Sequence, residues 1–231
     1  MSGASVTAQL SQHITDALQH AIGQRGRALL AVSGGKSPIA LFERLREQAL
    51  DWRAVTVILV DERCVPHEHA DSNTALVRQH LLQGPATAAR FVPFFDELPA
   101  GELNDEALSA LARQSNVRLA TLAWPLDVGV LGMGEDGHTA SLFAHAPGLD
   151  LALSTHDALA WVRPPHAPHA RLSLSLHALR SARAAPLHRG RDQTCRVGAS
   201  PTGHRPRTPR LVCLASRRCP CARLVILNPR P

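Results

Sequence analysis

The chain alternates between short apolar runs and longer segments in which apolar residues recur every three or four positions. Near the amino terminus, five apolar residues recur with a helical period: Val6, Leu10, Ile14, Leu18 and Ile22. Because this spacing puts all five along one side of a helix, it predicts an amphipathic helix that packs against a core.

The next segments predict strands and helices in alternation. The predicted strands lie within "ALLAVSGG", "AVTVILVDE", "FVPF", "PLDVGVLGM", "ALAWVRP" and "ARLSLSLHAL". The predicted helices are "SPIALFERLREQAL", "SNTALVRQHLL", "ELNDEALSALARQSNVRLATLA" and the stretch from Thr139 to His145. Strands that alternate with helices favour an α/β fold, with a mostly parallel sheet flanked by helices.

Length and the distribution of apolar residues limit the class of protein. A chain of 231 residues is long enough to bury a substantial core. No apolar stretch approaches the roughly 18 residues that a membrane span needs. The amino terminus has no basic start followed by an apolar block, so we expect no secretory signal and a cytoplasmic protein.

Charge divides the chain near residue 180. The whole chain has a formal net charge of +6, which by itself would indicate an acidic partner such as a nucleic acid. Residues 1–179, however, hold 13 basic against 18 acidic side chains, whereas residues 180–231 hold 12 arginines and one acid. The positive charge therefore belongs to the tail, which also holds four of the five cysteines and no Phe, Trp or Tyr.

Three polar segments follow predicted strands: "SGGKSP" (33–38), "DERCVP" (61–66) and "GMGEDGHT" (132–139). Taken singly, each could be a tight turn or a solvated charge cluster. The first lacks the spacing of a P-loop, and the G-x-G-x-x-G match in the third is weak evidence for a dinucleotide site. Because the carboxyl ends of parallel strands meet at one edge of a sheet, we expect the three segments to form one site.

Together these segments offer groups that suit a phosphorylated substrate of a hydrolase. Glycine N–H groups, a helix start and either Lys36 or Arg63 can hold a phosphate dianion. A carboxylate can orient His138, whose imidazole can take a proton from water near neutral pH. The predicted helix start at Thr139 would keep that imidazole neutral and basic through the helix dipole.

Three blocks of the sequence resemble the signature blocks of the 6-phosphogluconolactonases. They are "AVSGGKSPIALFERL", "VILVDERCVPHEHADSNTALVRQHLL" and "LDVGVLGMGEDGHTASLFAHAPGL", within a resemblance that covers about residues 8–180. The resemblance implies a Rossmann-like α/β fold and hydrolysis of 6-phospho-D-glucono-1,5-lactone to 6-phosphogluconate in the oxidative pentose phosphate pathway. It implies no metal and no organic cofactor, and a sugar-phosphate lactone as the small-molecule partner.

The resemblance also implies roles for individual residues. His138 is the expected base, and either Asp136 or Asp61 orients it. The expected substrate- and phosphate-binding residues are Ser33, Gly34, Gly35, Arg63, Asn73, Gly137, Thr139 and Arg171. Ser33 is not interpreted as a nucleophile, because no G-x-S-x-G turn surrounds it. Cys64 is expected in the wall of the pocket.

Two other functions stay open at this point. The glucosamine-6-phosphate deaminases share the fold and a D-G-H element, but their second block reads D-E-Y where this chain has Arg63 and Cys64. The basic tail could bind nucleic acid, although it contains no recognisable module for that. We expect no nucleic-acid partner, no membrane association, and a monomer or weak homo-oligomer.

The resemblance ends near residue 183. The sequence therefore predicts a lactonase-like domain at 1–183, incomplete at its carboxyl end, and an atypical Arg-, Pro- and Cys-rich tail at 184–231 that does not fit the fold. The codons for Ala184 to Ala199, read one nucleotide later, can encode "LLLFIEGETKRAVLER", which has the pattern of a buried strand, a turn and a helix start. We therefore hypothesise a frameshift after residue 183, which would leave the chain poorly soluble and weakly active or inactive.

Overall fold

The computed structural model describes the backbone of residues 3–134, 137–182 and 224–227. Side chains are described for residues 7–134 and 137–182. Six helices and eight strands make up this part of the chain. In chain order they are α1 (Gly3–Arg25), β1 (Ala28–Val32), α2 (Ile39–Leu45), β2 (Val55–Leu59), β3 (Asp61–Arg63), α3 (Asn73–His80), β4 (Arg90–Phe91), α4 (Asp105–Ala120), β5 (Val128–Gly132), α5 (Leu149–Ser154), β6 (Leu159–Val162), β7 (Arg171–Leu174), α6 (Leu176–Arg180) and β8 (Leu224–Leu227).

A five-stranded parallel sheet forms the centre of the fold. Its strand order is β4-β2-β1-β5-β8, and every neighbouring pair is parallel. All five residues of β1 are buried, which is the pattern of a strand covered on both faces. The α/β fold with a parallel sheet flanked by helices is therefore confirmed.

A second sheet differs from the prediction. Strands β3, β7 and β6 form a three-stranded antiparallel sheet, whereas the sequence predicted a loop at residues 61–66 and did not separate the last strands from the parallel sheet. Val60 joins the two sheets: its N–H donates to the Val32 carbonyl, and its own carbonyl accepts from the Leu174 N–H. The apolar run that looked like one strand thus continues from one sheet into the other.

Two predicted helices differ from the structure. Helix α2 ends at Leu45, so Ala49 lies beyond it. Residues 139–145 form turns instead of a helix, because Ala140 takes a left-handed conformation (φ 53°) and the Ser141 N–H donates to the Ser173 hydroxyl. The expectation that His138 lies at a helix start, where the dipole would keep it neutral, is therefore wrong.

Other local predictions are confirmed. Helix α1 buries Ile14 and Leu18 against the core. Helix α3 is capped as its sequence indicates, because the Ser72 hydroxyl accepts from the Ala75 N–H.

None of the helices in the described part of the chain is long and apolar enough to cross a membrane.

Most of the predicted tail, residues 184–223 and 228–231, lies outside the described residues, as does the boundary residue 183. The exception is β8, which pairs in parallel with β5 in the register Val130 with Val225 and Leu131 with Ile226.

Candidate active site

A cavity of about 190 Å³ lies where β1, β3 and β5 end. It brings together eight residues that the sequence analysis selected: Ser33, Gly34, Gly35, Asp61, Arg63, Asn73, His138 and Arg171. Gly137 and Thr139 line a larger neighbouring cavity of about 510 Å³, which also contacts His138. Asp136 lies outside the described residues. The prediction that the three polar segments meet at one edge is thus confirmed in geometry, although no residue's role follows from position alone.

The glycine segment meets the β5 loop because β1 and β5 are parallel neighbours that end at the same edge. The Ser33 N–H donates to the Val130 carbonyl over 3.0 Å. The Ser33 hydroxyl in turn accepts from the Gly132 N–H over 3.3 Å. Ser33 is therefore held as a connector between the two strand ends, which agrees with its not being interpreted as a nucleophile.

Gly34 has no side chain for a steric reason. A Cβ atom built at Gly34 would lie 1.8 Å from Oδ1 of Asn73, so any larger residue would displace the Asn73 amide. Asn73 is the first residue of α3 and is almost fully buried. The glycine thus allows the helix start to approach the strand end directly.

Asp61 is the buried carboxylate of the cavity. Its Oδ2 accepts a 2.6 Å hydrogen bond from the Ser141 hydroxyl and lies 3.8 Å from Nη1 of Arg171. The Asn73 amide donates to the Asp61 main-chain carbonyl over 2.7 Å. These contacts hold the Asp61 carboxylate beside the Arg171 guanidinium. Sequence reasoning missed Ser141, whose only signal was its place after the D-G-H-T loop.

Arg171 is the buried cation opposite this carboxylate. Burial lowers the pKa of Arg171, and the charge of Asp61 opposes that shift. Its guanidinium carbon lies 5.2 Å from the centroid of the Phe143 ring. Since an arginine stays protonated near neutral pH even when its pKa falls, Arg171 adds fixed positive charge to the cavity.

The loop that carries His138 is closed by its own backbone. The Gly134 N–H donates to the His138 carbonyl, and the Gly137 N–H donates to the Gly134 carbonyl, each over 2.9 Å. The Thr139 hydroxyl bonds back to the Gly132 carbonyl. The imidazole of His138 stacks on Phe143 with ring centroids 4.0 Å apart. The imidazole of His138 therefore lines the cavity from a turn that is held by internal hydrogen bonds.

Glu62 is a structural residue that the sequence analysis did not single out. Its side chain is fully buried and accepts the N–H groups of Asn73 and Thr74 over 2.8 and 2.7 Å. The Ser72 hydroxyl donates to it as well. The one interpretation that the sequence offered, a solvated charge cluster at 61–63, is wrong for Glu62, since this carboxylate holds the start of α3.

Three polar atoms around the cavity stay unpaired within the described part of the chain. They are Nε of Arg63, Oδ1 of Asn73 and Nε of Arg171, all buried. Buried polar atoms are normally hydrogen-bonded, so these three are exceptions within the described residues. The guanidinium groups of Arg63 and Arg171 line the cavity, and two cations there suit an anionic ligand.

Cys64 and Lys36 lie in the polar segments of the site but do not line the cavity. Cys64 is buried but does not line the cavity, contrary to the expectation of a pocket-wall residue. Burial and the charge of Glu62 raise the pKa of the Cys64 thiol to about 12, so it stays neutral and weakly nucleophilic. Lys36 is exposed and does not line the cavity, which leaves Arg63 as the nearer cation of the two.

Comparison with known proteins identifies the family of the chain. The family described as glucosamine-6-phosphate isomerases/6-phosphogluconolactonase matches residues 2–193. A 6-phosphogluconolactonase of Pseudomonas aeruginosa is 46% identical over 186 residues, which are 79% of this chain and 74% of the relative. One of Neisseria meningitidis serogroup A is 44% identical over 77% of this chain and 75% of its own.

A solved structure shows the same architecture. The crystal structure of a 6-phosphogluconolactonase from Shewanella baltica superposes with a TM-score of 0.73 at 37% identity, over 79% of this chain and 76% of its own. The match to the family profile, the sequence relatives and this structure all agree with the α/β fold. The chain therefore belongs to the family of glucosamine-6-phosphate isomerases and 6-phosphogluconolactonases.

Proposed function

We propose that this chain hydrolyses 6-phospho-D-glucono-1,5-lactone to 6-phospho-D-gluconate, the second step of the oxidative pentose phosphate pathway. The observation that carries the proposal is one cavity that combines His138 and the buried carboxylate of Asp61 with the cations of Arg63 and Arg171. The relatives at 44–46% identity are named 6-phosphogluconolactonases, which supports the same activity here.

The proposed reaction starts with the phosphate, which Arg63 and the N–H groups of Gly34 and Gly35 hold at the rim. His138 takes a proton from a water molecule as the water oxygen bonds to the lactone carbonyl carbon. The bond between that carbon and the ring oxygen then breaks, and the imidazolium returns the proton to the ring oxygen. Positive charge from Arg171 favours the oxyanion that forms between these steps.

The carboxylate that orients His138 stays a prediction. Asp61 lines the same cavity as His138, but its described partners are Ser141, Asn73 and Arg171. Asp136 is the other candidate and lies outside the described residues. Replacement of each by Asn tests them separately, because only the orienting carboxylate should shift the pH dependence of kcat.

The first test replaces His138 by Ala. We expect kcat for freshly prepared phosphorylated lactone to fall about 100-fold or more, as for the loss of a general base. His156→Ala is the control, since His156 is an exposed histidine that lines neither cavity. Hydrolysis above the spontaneous rate is followed by acid release in a pH-stat.

Two outcomes would contradict the proposal. A His138→Ala variant that keeps the parental rate would remove His138 as the base. A folded parent chain without any rate above background would contradict lactonase activity for this chain, whatever its family. Ammonia release from glucosamine 6-phosphate, assayed on the same sample, tests the deaminase alternative, which no described contact favours.

We further propose that the chain acts in the cytoplasm as a monomer or weak homo-oligomer without a nucleic-acid partner. The net negative charge of residues 1–179 supports the last point. Light scattering during gel filtration measures the oligomeric state, and salt-dependent RNA retention would contradict the absence of a nucleic-acid partner.

A further inference from the structure

Two histidines and an aspartate meet beside the cavity, outside the residues assigned to hydrolysis. His69 and Asp71 lie in the connection between β3 and α3, and His169 lies just before β7. The two connections meet because β3 and β7 are antiparallel, with Arg63 opposite Arg171. The Cys64 N–H extends this pairing by donating to the Ala170 carbonyl over 2.8 Å. The sheet register thus places the three side chains together.

The potential ligand atoms of this cluster converge. Nε2 of His169 lies 3.1 Å from Oδ2 of Asp71, and Nδ1 of His69 lies 3.8 Å from the same oxygen. One ligand atom from each residue falls within 4.8 Å of the other two. In a tetrahedral site with bonds of about 2.0–2.1 Å, ligand atoms stand about 3.3 Å apart. The observed separations therefore need only small side-chain movements to close around an ion.

Nδ1 of His69 is available as a ligand atom, whereas Nε2 of His169 faces the Asp71 carboxylate over 3.1 Å and has to give up its proton to an ion. The Asp71 N–H donates to Nδ1 of His69 over 3.0 Å, so this nitrogen presents a lone pair. An ion that takes this lone pair replaces one exposed hydrogen bond, whose net contribution is about 1 kcal/mol. The His69 and His169 rings meet edge to face with centroids 5.4 Å apart.

The donor set indicates the class of ion. Two imidazoles and one carboxylate suit Zn²⁺ and neighbouring divalent transition metals, whereas Mg²⁺ and Ca²⁺ prefer oxygen ligands alone. We propose that His69, Asp71 and His169 form a binding site for a divalent transition-metal ion such as Zn²⁺, with an open coordination position for water or an anion. The main-chain carbonyl of Asp71 accepts a hydrogen bond from Arg63, so the site adjoins the proposed phosphate-binding arginine.

Binding is tested on the full chain by titration with Co²⁺ or Zn²⁺ alone, read by calorimetry and, for Co²⁺, by visible absorption. His169→Asn and Asp71→Asn each remove one ligand. Asn suits position 169 because His169 has a positive φ of 69° and Asn tolerates that region. In Asp71→Asn the main-chain carbonyl that holds Arg63 is retained.

His145→Asn is the matched control, since His145 is also exposed and has a positive φ of 62°. We expect the parent and His145→Asn to bind one ion that both ligand variants bind at least about tenfold more weakly. The proposal is overturned if His169→Asn and the parent bind the same number of ions with the same affinity, or if His145→Asn loses the same ion. Because the readout is binding and not hydrolysis, this result is independent of the proposed activity.

Discussion

Arg63 and Arg171 line one cavity but are held in different ways. Arg171 is nearly buried and lies 3.8 Å from the carboxylate of Asp61. Arg63 is partly exposed and is anchored by the main-chain carbonyl of Asp71. Because a carbonyl does not neutralise a cation, the charge of Arg63 stays available to a ligand, whereas that of Arg171 is partly balanced. Arg63 is thus the better candidate for the substrate phosphate.

This difference predicts the effect of Arg63→Ala. We expect KM for the phosphorylated lactone to rise about 10- to 100-fold, as for the loss of a charge-assisted hydrogen bond. Turnover of unphosphorylated gluconolactone should hardly change, because it lacks the phosphate. Steady-state kinetics with both substrates measures this, with the exposed Arg44→Ala as control. An equal loss on both substrates would instead place Arg63 at the reacting carbonyl.

At the scale of elements, the start of α3 depends on a residue of β3. Glu62 accepts the first two N–H groups of the helix from a fully buried position. Asn73, whose N–H is one of these, also lines the cavity. A single carboxylate thereby fixes both the helix and the position of a candidate binding residue.

Replacing Glu62 by Gln should therefore destabilise the protein. The amide keeps the shape but presents N–H groups to N–H donors, so at least one buried donor loses its acceptor. We expect a loss of about 2 kcal/mol or more in the free energy of unfolding, measured by urea denaturation. Glu68→Gln, at an exposed position of the same connection, should stay within about 0.5 kcal/mol of the parent. Equal stability of both variants would contradict the anchoring role.

Strand β8 offers a test of the sheet edge. It pairs with β5 at the end of the described parallel sheet, and in such a strand only alternate N–H groups point to the neighbour. Val225 and Ile226 are consecutive, so only one of their N–H groups points to β5. Proline at that position removes a hydrogen bond to β5 and should lower the melting temperature by a few degrees. Proline at the other position should have a smaller effect. Thermal unfolding of the two variants, each the control of the other, measures this. Parental melting of both would contradict the pairing.

At the scale of the whole molecule, the family match ends before the chain does, at residue 193, ten residues beyond the predicted boundary. The relatives match 77–79% of the chain, which leaves about a fifth of it unmatched. The basic charge of the protein lies in residues 180–231. A frameshift in the gene is our hypothesis for the composition of the tail, and a genuinely divergent basic tail is the alternative.

The frameshift hypothesis predicts what the coding DNA encodes in a second reading frame. Read one nucleotide later after codon 183, it should encode a lactonase-like continuation that begins with a sequence close to "LLLFIEGETKRAVLER". Sequencing the gene checks this directly. An early stop codon, or a continuation unlike the relatives, would refute the hypothesis. A chain with the restored frame should then exceed the present one in solubility and in lactone hydrolysis.

The sequence by itself determined the α/β class, the parallel sheet and eight of the residues that line the cavity. Apolar periodicity determines which faces are buried, and parallel strands must end at a common edge, so "SGGKSP" and "GMGEDGHT" had to meet there. Local capping rules likewise placed Ser72 before α3, and family resemblance selected residues such as Arg171 that adjoin no glycine turn.

Only the tertiary structure decided the rest. Val60 joins two sheets through hydrogen bonds to residues far along the chain, which no local pattern of an apolar run encodes. Ser141 belongs to turns and not to a helix, because Asp61 and Ser173 offer its hydroxyl and N–H partners that a helix would forgo. The burial of Glu62 and the meeting of His69 with His169 depend on the pairing of β3 with β7. Each of these outcomes depends on contacts between residues that are far apart in the sequence. Buried polar groups are normally hydrogen-bonded, and here the partners come from distant segments that only the folded chain places nearby.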